Sequence, residues 1–416
     1  MDKDLIKFLI ADYQQRVVNV TSHSREYQLD DKLNYVFVGL RRAGKSYMMF
    51  RQIEHLIEIG HRAEEILYFN FEDDRIDTVS TLDLDLIKTC YEEMYDCRPI
   101  FFLDEIQLVD KWEKFARRLA DQKYRVYITG SNAKMLSSEI STTLGGRYMM
   151  KEIYPYSFKE YLNASGIDMN ERNTIYKNRI DIAKAFDTYF YFGGLPEISE
   201  VNDKRSWLSN LYNKIFFGDL IARFQIRNDF ALRILVKKLA ESVKQPSSYN
   251  RLKNIISTTG KKISADTIID YIKYMNDSWL ILPFENIDSA LAERESNKKY
   301  YFIDNGILNL FLLDPNTSLL ENMVAIELRK KYGNRVYYYH KNVEVDFYIP
   351  DEEYAIQVCY TLKDADTKQR EANALIKLSA RLPVKEMVIV TKDEDGIISL
   401  EGYQIEVFPL WKWLLK

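Results

Sequence analysis

Cysteine, histidine and long apolar runs are what this 416-residue chain has least of, and each scarcity excludes something. Three cysteines (Cys90, Cys97, Cys359) are odd in number and match no metal-ligand spacing. A disulfide framework is therefore excluded, and reduced, structural thiols are expected. The four histidines are scattered; His55 and His61 flank the end of one candidate helix and read as surface residues, not ligands. No window approaches the run of about 18 apolar residues that spans a membrane. The start, Met1 to Ile10, alternates charge with apolar residues, which suits an amphipathic helix and lacks a signal peptide's apolar centre. A cytoplasmic protein with no membrane partner is expected. Neither charge sign dominates: 58 Lys and Arg against 62 Asp and Glu give −4, no global argument for nucleic acid, which leaves only local basic faces.

What is present is a glycine loop in a telling setting. Gly39-Leu40-Arg41-Arg42-Ala43-Gly44-Lys45-Ser46 fits G-x-x-x-x-G-K-[ST]. Before it runs Tyr35-Val36-Phe37-Val38, an apolar strand pattern; after it Met49, Ile53, Leu56 and Ile57 share a helix face that ends at Gly60. Glycines let backbone N–H groups approach phosphate oxygens, and the helix N-terminus adds its positive end. Lys45 is expected on the outer phosphates and the Ser46 hydroxyl on Mg²⁺, with Tyr47 completing the contacts. A chance loop match is the ordinary alternative, and the flanks argue against it.

The second half of such a site is Ile100-Phe101-Phe102-Leu103-Asp104-Glu105, a strand ending in two carboxylates. Asp104 is assigned to Mg²⁺ and Glu105 to orienting and deprotonating an attacking water. A lone acidic N-cap would explain one carboxylate but not two. The next strand ends in Gly130-Ser131-Asn132, where Ser131 or Asn132 reaches the terminal phosphate or the water, unless the stretch is only a turn. Asn132 is the choice. Gly145-Gly146-Arg147 precedes a fifth strand; Arg147 is either an arginine finger acting on a neighbouring subunit, and so a sign of a homo-oligomer, or an ion-paired surface residue.

Length implies two to four domains. Residues 1–30 read as a helix (2–18) and lead-in. Residues 31–155 alternate strands (35–38, 66–70, 100–103, 125–129, 147–153) with helices (45–59, 81–95, 111–121, 133–141), an α/β parallel sheet covered on both faces. Residues 156–245 read as all-helical, with Phe158, Tyr161, Leu162, Ala183, Phe186, Tyr189, Phe190, Leu208, Leu211 and Ile215 at helical spacing, interrupted by Gly193-Gly194-Leu195-Pro196. Residues 246–299 read as winged-helix-like: helices 250–257 and 265–275, the second capped by Ser264, then an apolar strand 279–284. Residues 300–416 form a last α/β segment with strands at 336–340, 344–349, 354–359 and 387–391.

Taken in order, GLRRAGKS, FFLDEIQ, YITGSN, LGGRY, YPYSFKEYL and YFGGLPEI resemble the AAA-type ATPases that carry a C-terminal DUF4143 domain, over most of the chain. The resemblance implies an AAA+ core with Walker A and Walker B elements, ATP and Mg²⁺ as ligands, and a helical lid touching the nucleotide. In the similar signalling ATPases called STAND, a glycine–proline element sets its proline on the base, which makes Pro196 an adenine contact; the alternative is a helix–helix turn. The C-terminal segment resembles a PD-(D/E)XK, restriction-endonuclease-like fold. Glu321 and Asp346 match its helix and strand acids, but Gln357 replaces a charged ligand and Cys359 stands where the lysine belongs. Loss of that charge removes a stabiliser and a proton partner, so a degenerate nuclease-like interaction module is expected; Lys341 and Lys363 are the lysines that remain nearby.

In the second winged-helix helix, Ile268, Ile269, Ile272 and Met275 form the apolar face and leave Asp266, Asp270, Lys273 and Asp277 outward. Three acids against one base oppose phosphate contact. The basic run Lys237, Lys238, Lys244, Arg251, Lys253, Lys261 and Lys262 leaves non-specific DNA contact from another face open, beside a protein client. The overall expectation is a nucleotide-driven, ATP-hydrolysing conformational switch. Two rivals stand beside it: a scaffold that binds ATP without hydrolysing it, and a DNA-associated ATPase whose C-terminal domain cleaves.

Overall fold

The computed structural model describes residues 1–131, 142–167, 179–260 and 263–416. The chain clusters into two compact units, Met1–Tyr154 and Pro155–Lys416. The expected boundaries at 245 and 299 fall inside the second unit, and the expected lead-in 1–30 belongs to the first.

In the first unit the described residues form a five-stranded sheet, ordered β2-β3-β4-β1-β5. The strands are Asn34–Val38 (β1), Ile66–Asn70 (β2), Ile100–Asp104 (β3), Val126–Gly130 (β4) and Tyr148–Glu152 (β5), all parallel. Continuous apolar sequence in β1 to β4 produces strands buried on both faces, as helix-covered parallel sheets require. Helices α1 (Lys3–Val17), α2 (Lys45–Glu58), α3 (Thr81–Met94) and α4 (Trp112–Asp121) accompany them. The expected helix 133–141 lies outside the described residues. The N-terminal helix is no mere lead-in: Ile6, Leu9, Ile10 and Tyr13 are buried, and Gln14 Nε2 donates to the carbonyls of Ala63 (2.6 Å) and Ile66 (3.3 Å). Those bonds tie α1 to the start of β2, at the sheet's edge.

The second unit opens with helices α5 (Phe158–Ala164), α6 (Arg179–Phe192), α7 (Lys204–Lys214) and α8 (Asp229–Glu241). The aromatic and leucine positions read from spacing are buried there; Ala183 is exposed, and Ile182 takes the inward place. Two further helices follow, α9 (Tyr249–Ser257) and α10 (Ala265–Asp277), the latter capped by Ser264 Oγ accepting from Thr267 N–H at 3.0 Å. On α10 Tyr271 is buried while Ile269 is 40% exposed, so the inward face is turned by one position from the expected one.

Nine described strands of this unit share one sheet, ordered β13-β14-β12-β11-β10-β9-β7-β8-β6. They are Ser247–Ser248 (β6), Ile281–Asn286 (β7), Asn297–Phe302 (β8), Tyr337–His340 (β9), Glu344–Ile349 (β10), Tyr354–Val358 (β11), Glu386–Thr391 (β12), Gly396–Leu400 (β13) and Tyr403–Pro409 (β14). The boundary expected at 299/300 cuts β8. Parallel pairing of Glu285 with Tyr337 and Asn286 with Tyr338 makes the β6-β8-β7 ribbon continuous with the C-terminal sheet. Periodicity along the chain carries no trace of that pairing, because it joins segments 52 residues apart. Tyr339, Val345, Ala355, Leu375, Leu378, Ile389 and Ile405 pack as the core between this sheet and helix Ala365–Ser379.

Candidate functional site

The glycine loop leaves β1 and enters α2 directly. Gly39 (φ +153°) lies so close to the backbone of Ile153 that a Cβ would sit 2.2 Å from its carbonyl oxygen, and Gly44 (φ 94°) stands at the N-cap in the left-handed region. Only glycine meets both demands without strain. No side chain caps α2, so its first N–H groups face the loop, the arrangement that receives phosphate. Arg42 also takes a left-handed conformation (φ 63°) and is exposed, while Arg41 pairs with Glu72 at 3.0 Å. Leu40 and Ala43 are buried under the loop; Tyr47, 56% exposed, points out of it. The lead-in braces the loop from behind: Arg25 donates to the carbonyls of Ala43 (3.2 Å) and Tyr154 (2.7 Å).

Lys45 is buried, with Nζ 3.3 Å from the Gly39 carbonyl, 3.1 Å from the Leu40 carbonyl and 3.8 Å from Glu105 Oε1. The two halves of the expected site therefore meet, although β4 lies between β1 and β3 in the sheet. Burial pushes Glu105 up, but the Lys45 ammonium, a hydrogen bond from Gln107, Arg41 and Ser131 together hold it below the usual carboxylate range. It stays ionised, as a proton acceptor must. Its backbone is left-handed (φ 54°), a conformation costly for a non-glycine residue and found preferentially at functional positions.

Asp104 is buried, and burial followed by the Glu105 charge pushes its carboxyl up. Three hydroxyls oppose that shift. Thr129 Oγ1 donates to Asp104 Oδ1, Tyr68 OH donates to Oδ2 at 2.5 Å, and Ser46 hydrogen-bonds the same carboxyl. The two residues expected on Mg²⁺, Ser46 and Asp104, are thus in contact. Thr129 also accepts the Glu105 N–H at 2.9 Å. Sequence reading passed over Thr129 and Tyr68. For Thr129 a signal existed, since it ends β4 beside the carboxylate strand; Tyr68 reads only as strand core. Asn132 lies outside the described residues, and Ser131 is buried against Glu105.

Arg147 pairs with Asp121 and donates to the Gly145 carbonyl at 3.2 Å. It precedes β5, at the end of the sheet opposite the glycine loop, so it does not serve the loop of its own chain.

In the second unit Gly193 and Gly194 are held by Asp304. Its carboxylate accepts the N–H groups of Gly194 (2.9 Å), Gly306 (2.9 Å) and Ile307 (3.2 Å), and a Cβ on Gly193 would collide with it. A Cβ on Gly194 would lie 2.4 Å from the Tyr156 carbonyl. Pro196 opens the single turn Pro196–Ser199. Glu160 of the YPYSFKEYL stretch is a buried capping-box residue on Ser157 and pairs with Lys330 at 3.5 Å.

The C-terminal acids also converge. Glu321 and Asp346 both approach Lys299 Nζ, at 3.3 and 3.4 Å, with Glu344 at 3.0 Å. Burial and Glu321 push Asp346 well up, against the Lys299 ammonium. Gln357 faces away, accepting the Asp346 N–H and donating to Glu371 and the Glu344 carbonyl. Cys359 is half-buried, its thiol pushed up to about 11 by burial and Glu371. Lys341 pairs with Asp288, and Lys363 is exposed. The buried lysine is therefore neither nearby candidate but Lys299, in β8.

Residues 31–162 match the AAA domain model AAA_14, and residues 183–318 match DUF8612, a domain of unknown function, where the resemblance had implied DUF4143. Among solved structures, a Walker-type ATPase of Pyrococcus abyssi aligns at 10% identity and TM-score 0.43, covering 71% of this chain and 99% of that one. The ORC1 protein of Aeropyrum pernix in complex with DNA aligns at 13% and TM-score 0.28, covering 78% and 93%. An uncharacterized protein of Haemophilus influenzae is 28% identical over 92% of this chain and 94% of its own. The uncharacterized protein MJ1544 of Methanocaldococcus jannaschii is 34% identical over 91% of this chain and 88% of its own. With that identity across nearly the full length and an AAA domain at the glycine loop, this chain belongs to the MJ1544 family of AAA-type P-loop ATPases.

Proposed function

We propose that the first unit binds ATP with Mg²⁺ and hydrolyses it, and that the nucleotide state drives the second unit as a switch. One observation carries this reading: Lys45, Ser46, Asp104 and Glu105, 60 residues apart in sequence, converge at the carboxyl ends of the sheet, where doubly wound folds bind ligands. The uncapped α2 N-terminus and its glycines fit a phosphate, and the hydroxyl–carboxyl pair Ser46–Asp104 is the oxygen set Mg²⁺ prefers. Bound Mg²⁺ would neutralise charge on the outer phosphates. Lys45 leaves its loop carbonyls for a phosphate oxygen, and Glu105, kept ionised beside it, takes the proton of the attacking water. Asp104 is oriented for its part by Thr129 and Tyr68. Arg147 acts in trans on a neighbouring chain, and Pro196 contacts adenine.

The test is single-turnover hydrolysis by the full chain and its Glu105→Gln variant. ATP retained by the variant with hydrolysis slowed supports the reading; hydrolysis at the parent rate refutes it. A slow, scaffold-like mode draws support from Arg147, which is occupied by Asp121 within its own chain. In that mode turnover waits on association of chains. For the second unit we propose a winged-helix-like element, α8 to β8, fused to a sheet that docks a protein client. Asp266 and Asp270, exposed on α10, oppose a DNA role for that helix.

A further inference from the structure

Lys299 is fully buried in β8, yet nothing in the nucleotide reading uses it. Its ammonium lies at the point where one oxygen from each of Glu321, Glu344 and Asp346 converges, at 3.3, 3.0 and 3.4 Å. Each of the two buried acids is held by a further bond. Tyr301 OH donates to Glu321 at 2.7 Å, and Val358 N–H donates to Asp346 Oδ2 at 2.9 Å. The Tyr338 ring lies 5.5 Å from Nζ, a further cation-stabilising face. A cavity of about 660 Å³, lined in part by Glu321, Glu344 and Asp346, reaches the same carboxylates from solvent.

Burying a carboxylate is costly unless a cation accompanies it, and here two are buried, Glu321 and Asp346, with the exposed Glu344 beside them. The distances of 3.0 to 3.4 Å suit an ammonium, whereas Mg²⁺ or Mn²⁺ draws carboxylate oxygens to about 2.1 Å. An ammonium and a divalent ion cannot share the convergence point. Lys299 is in register with Phe284 of β7, and β6 pairs with the two residues before it, so Lys299 does not swing out with a loop.

We propose that Glu321, Glu344 and Asp346 form a cation site whose resident cation is the protein's own Lys299 ammonium, and that removing it opens the site to a divalent metal ion. Lys299 thus keeps the second unit closed to such ions while the first unit works with Mg²⁺. The proposal stands apart from the nucleotide reading and does not need it.

The experiment is Mn²⁺ binding to nucleotide-free full-length chain, by calorimetry and electron paramagnetic resonance. Four proteins are compared: the parent, Asp346→Asn, Lys299→Met, and Lys299→Met combined with Asp346→Asn. Lys299→Met should gain one Mn²⁺ per chain, lost again in the double variant, and Asp346→Asn alone should bind as the parent does. Mn²⁺ bound by the parent and lost in Asp346→Asn would overturn the proposal, as would a folded Lys299→Met chain that gains none. Should Lys299→Met unfold, recovery of its melting transition in saturating Mn²⁺ supports the proposal, and failure to recover counts against it.

Discussion

Two hydroxyls reach Asp104 from strands on either side of it, Tyr68 from β2 and Thr129 from β4. A buried carboxylate pushed up by desolvation stays ionised only with such donors, and losing one costs about 1–3 kcal/mol. Thr129→Val should therefore fold but lose turnover by about tenfold to a hundredfold, since about 1.4 kcal/mol is a factor of ten. Tyr68→Phe keeps its ring against Tyr13 and Phe50 and should show a smaller loss of the same kind. Steady-state ATPase assays beside thermal melts separate this from misfolding; unchanged rates in both variants would detach the hydroxyls from the chemistry. Lys45→Ala removes charge-assisted bonds of about 1.5–3 kcal/mol each, so ATP affinity should fall at least about a hundredfold, read by fluorescent-nucleotide titration.

Among the elements, the turn after α6 has little room. Gly194→Ala sets a methyl 2.4 Å from the Tyr156 carbonyl, with the Asp304 bond on the other side. Overpacking of this kind costs about 1–3 kcal/mol. The expected outcome is a lower melting point for the second unit, read by thermal melts. Asp304 adds a pH dependence. Burial raises its carboxyl to about 6, against the N–H groups of Gly194, Ile307 and Gly306. A raised folded-state value favours the protonated form. Its stabilising contribution is thus complete below about pH 4 and is lost as pH rises through about 6, by up to about 3 kcal/mol at about 1.36 per unit. Denaturant melts from pH 4 to 7 should show that slope, flattened in Asp304→Asn. The variant should also be less stable overall, because its amide NH₂ confronts a backbone donor.

At the scale of the whole molecule, the proposed trans role of Arg147 is the coupling to check. Arg147 sits at the far end of the sheet from its own glycine loop, so any effect on turnover must pass to a second copy. Specific activity should rise with protein concentration, and Arg147→Ala should abolish that rise while leaving the dilute rate unchanged. Arginine fingers supply about 10³–10⁵ in rate, so the difference is easily read. A flat concentration dependence in the parent would remove the trans role. Duplex DNA should bind no tighter than the non-specific range of about 10⁻⁴–10⁻⁶ M, with steep salt dependence, by fluorescence anisotropy.

Sequence alone determined the first unit's strands to within a residue or two, and it singled out the glycine loop, Asp104 and Glu105, which the fold brings together. Buried parallel strands are continuous apolar runs, and a phosphate loop is contiguous in the chain, so local order carries both. It also determined the helical run after residue 156, apart from the inward turn at Ile182. Only the tertiary structure decided what depends on neighbours distant in sequence: Thr129 and Tyr68 on Asp104, Asp304 on the Gly193–Gly194 turn, and the β7–β9 pairing that fuses two expected domains. Lys299 illustrates the reason. A charged residue in an edge-ribbon strand reads as solvated until three carboxylates, one from the helix Asn316–Tyr332 and two from β10, close around it, and that closure is a property of packing, which no local pattern records.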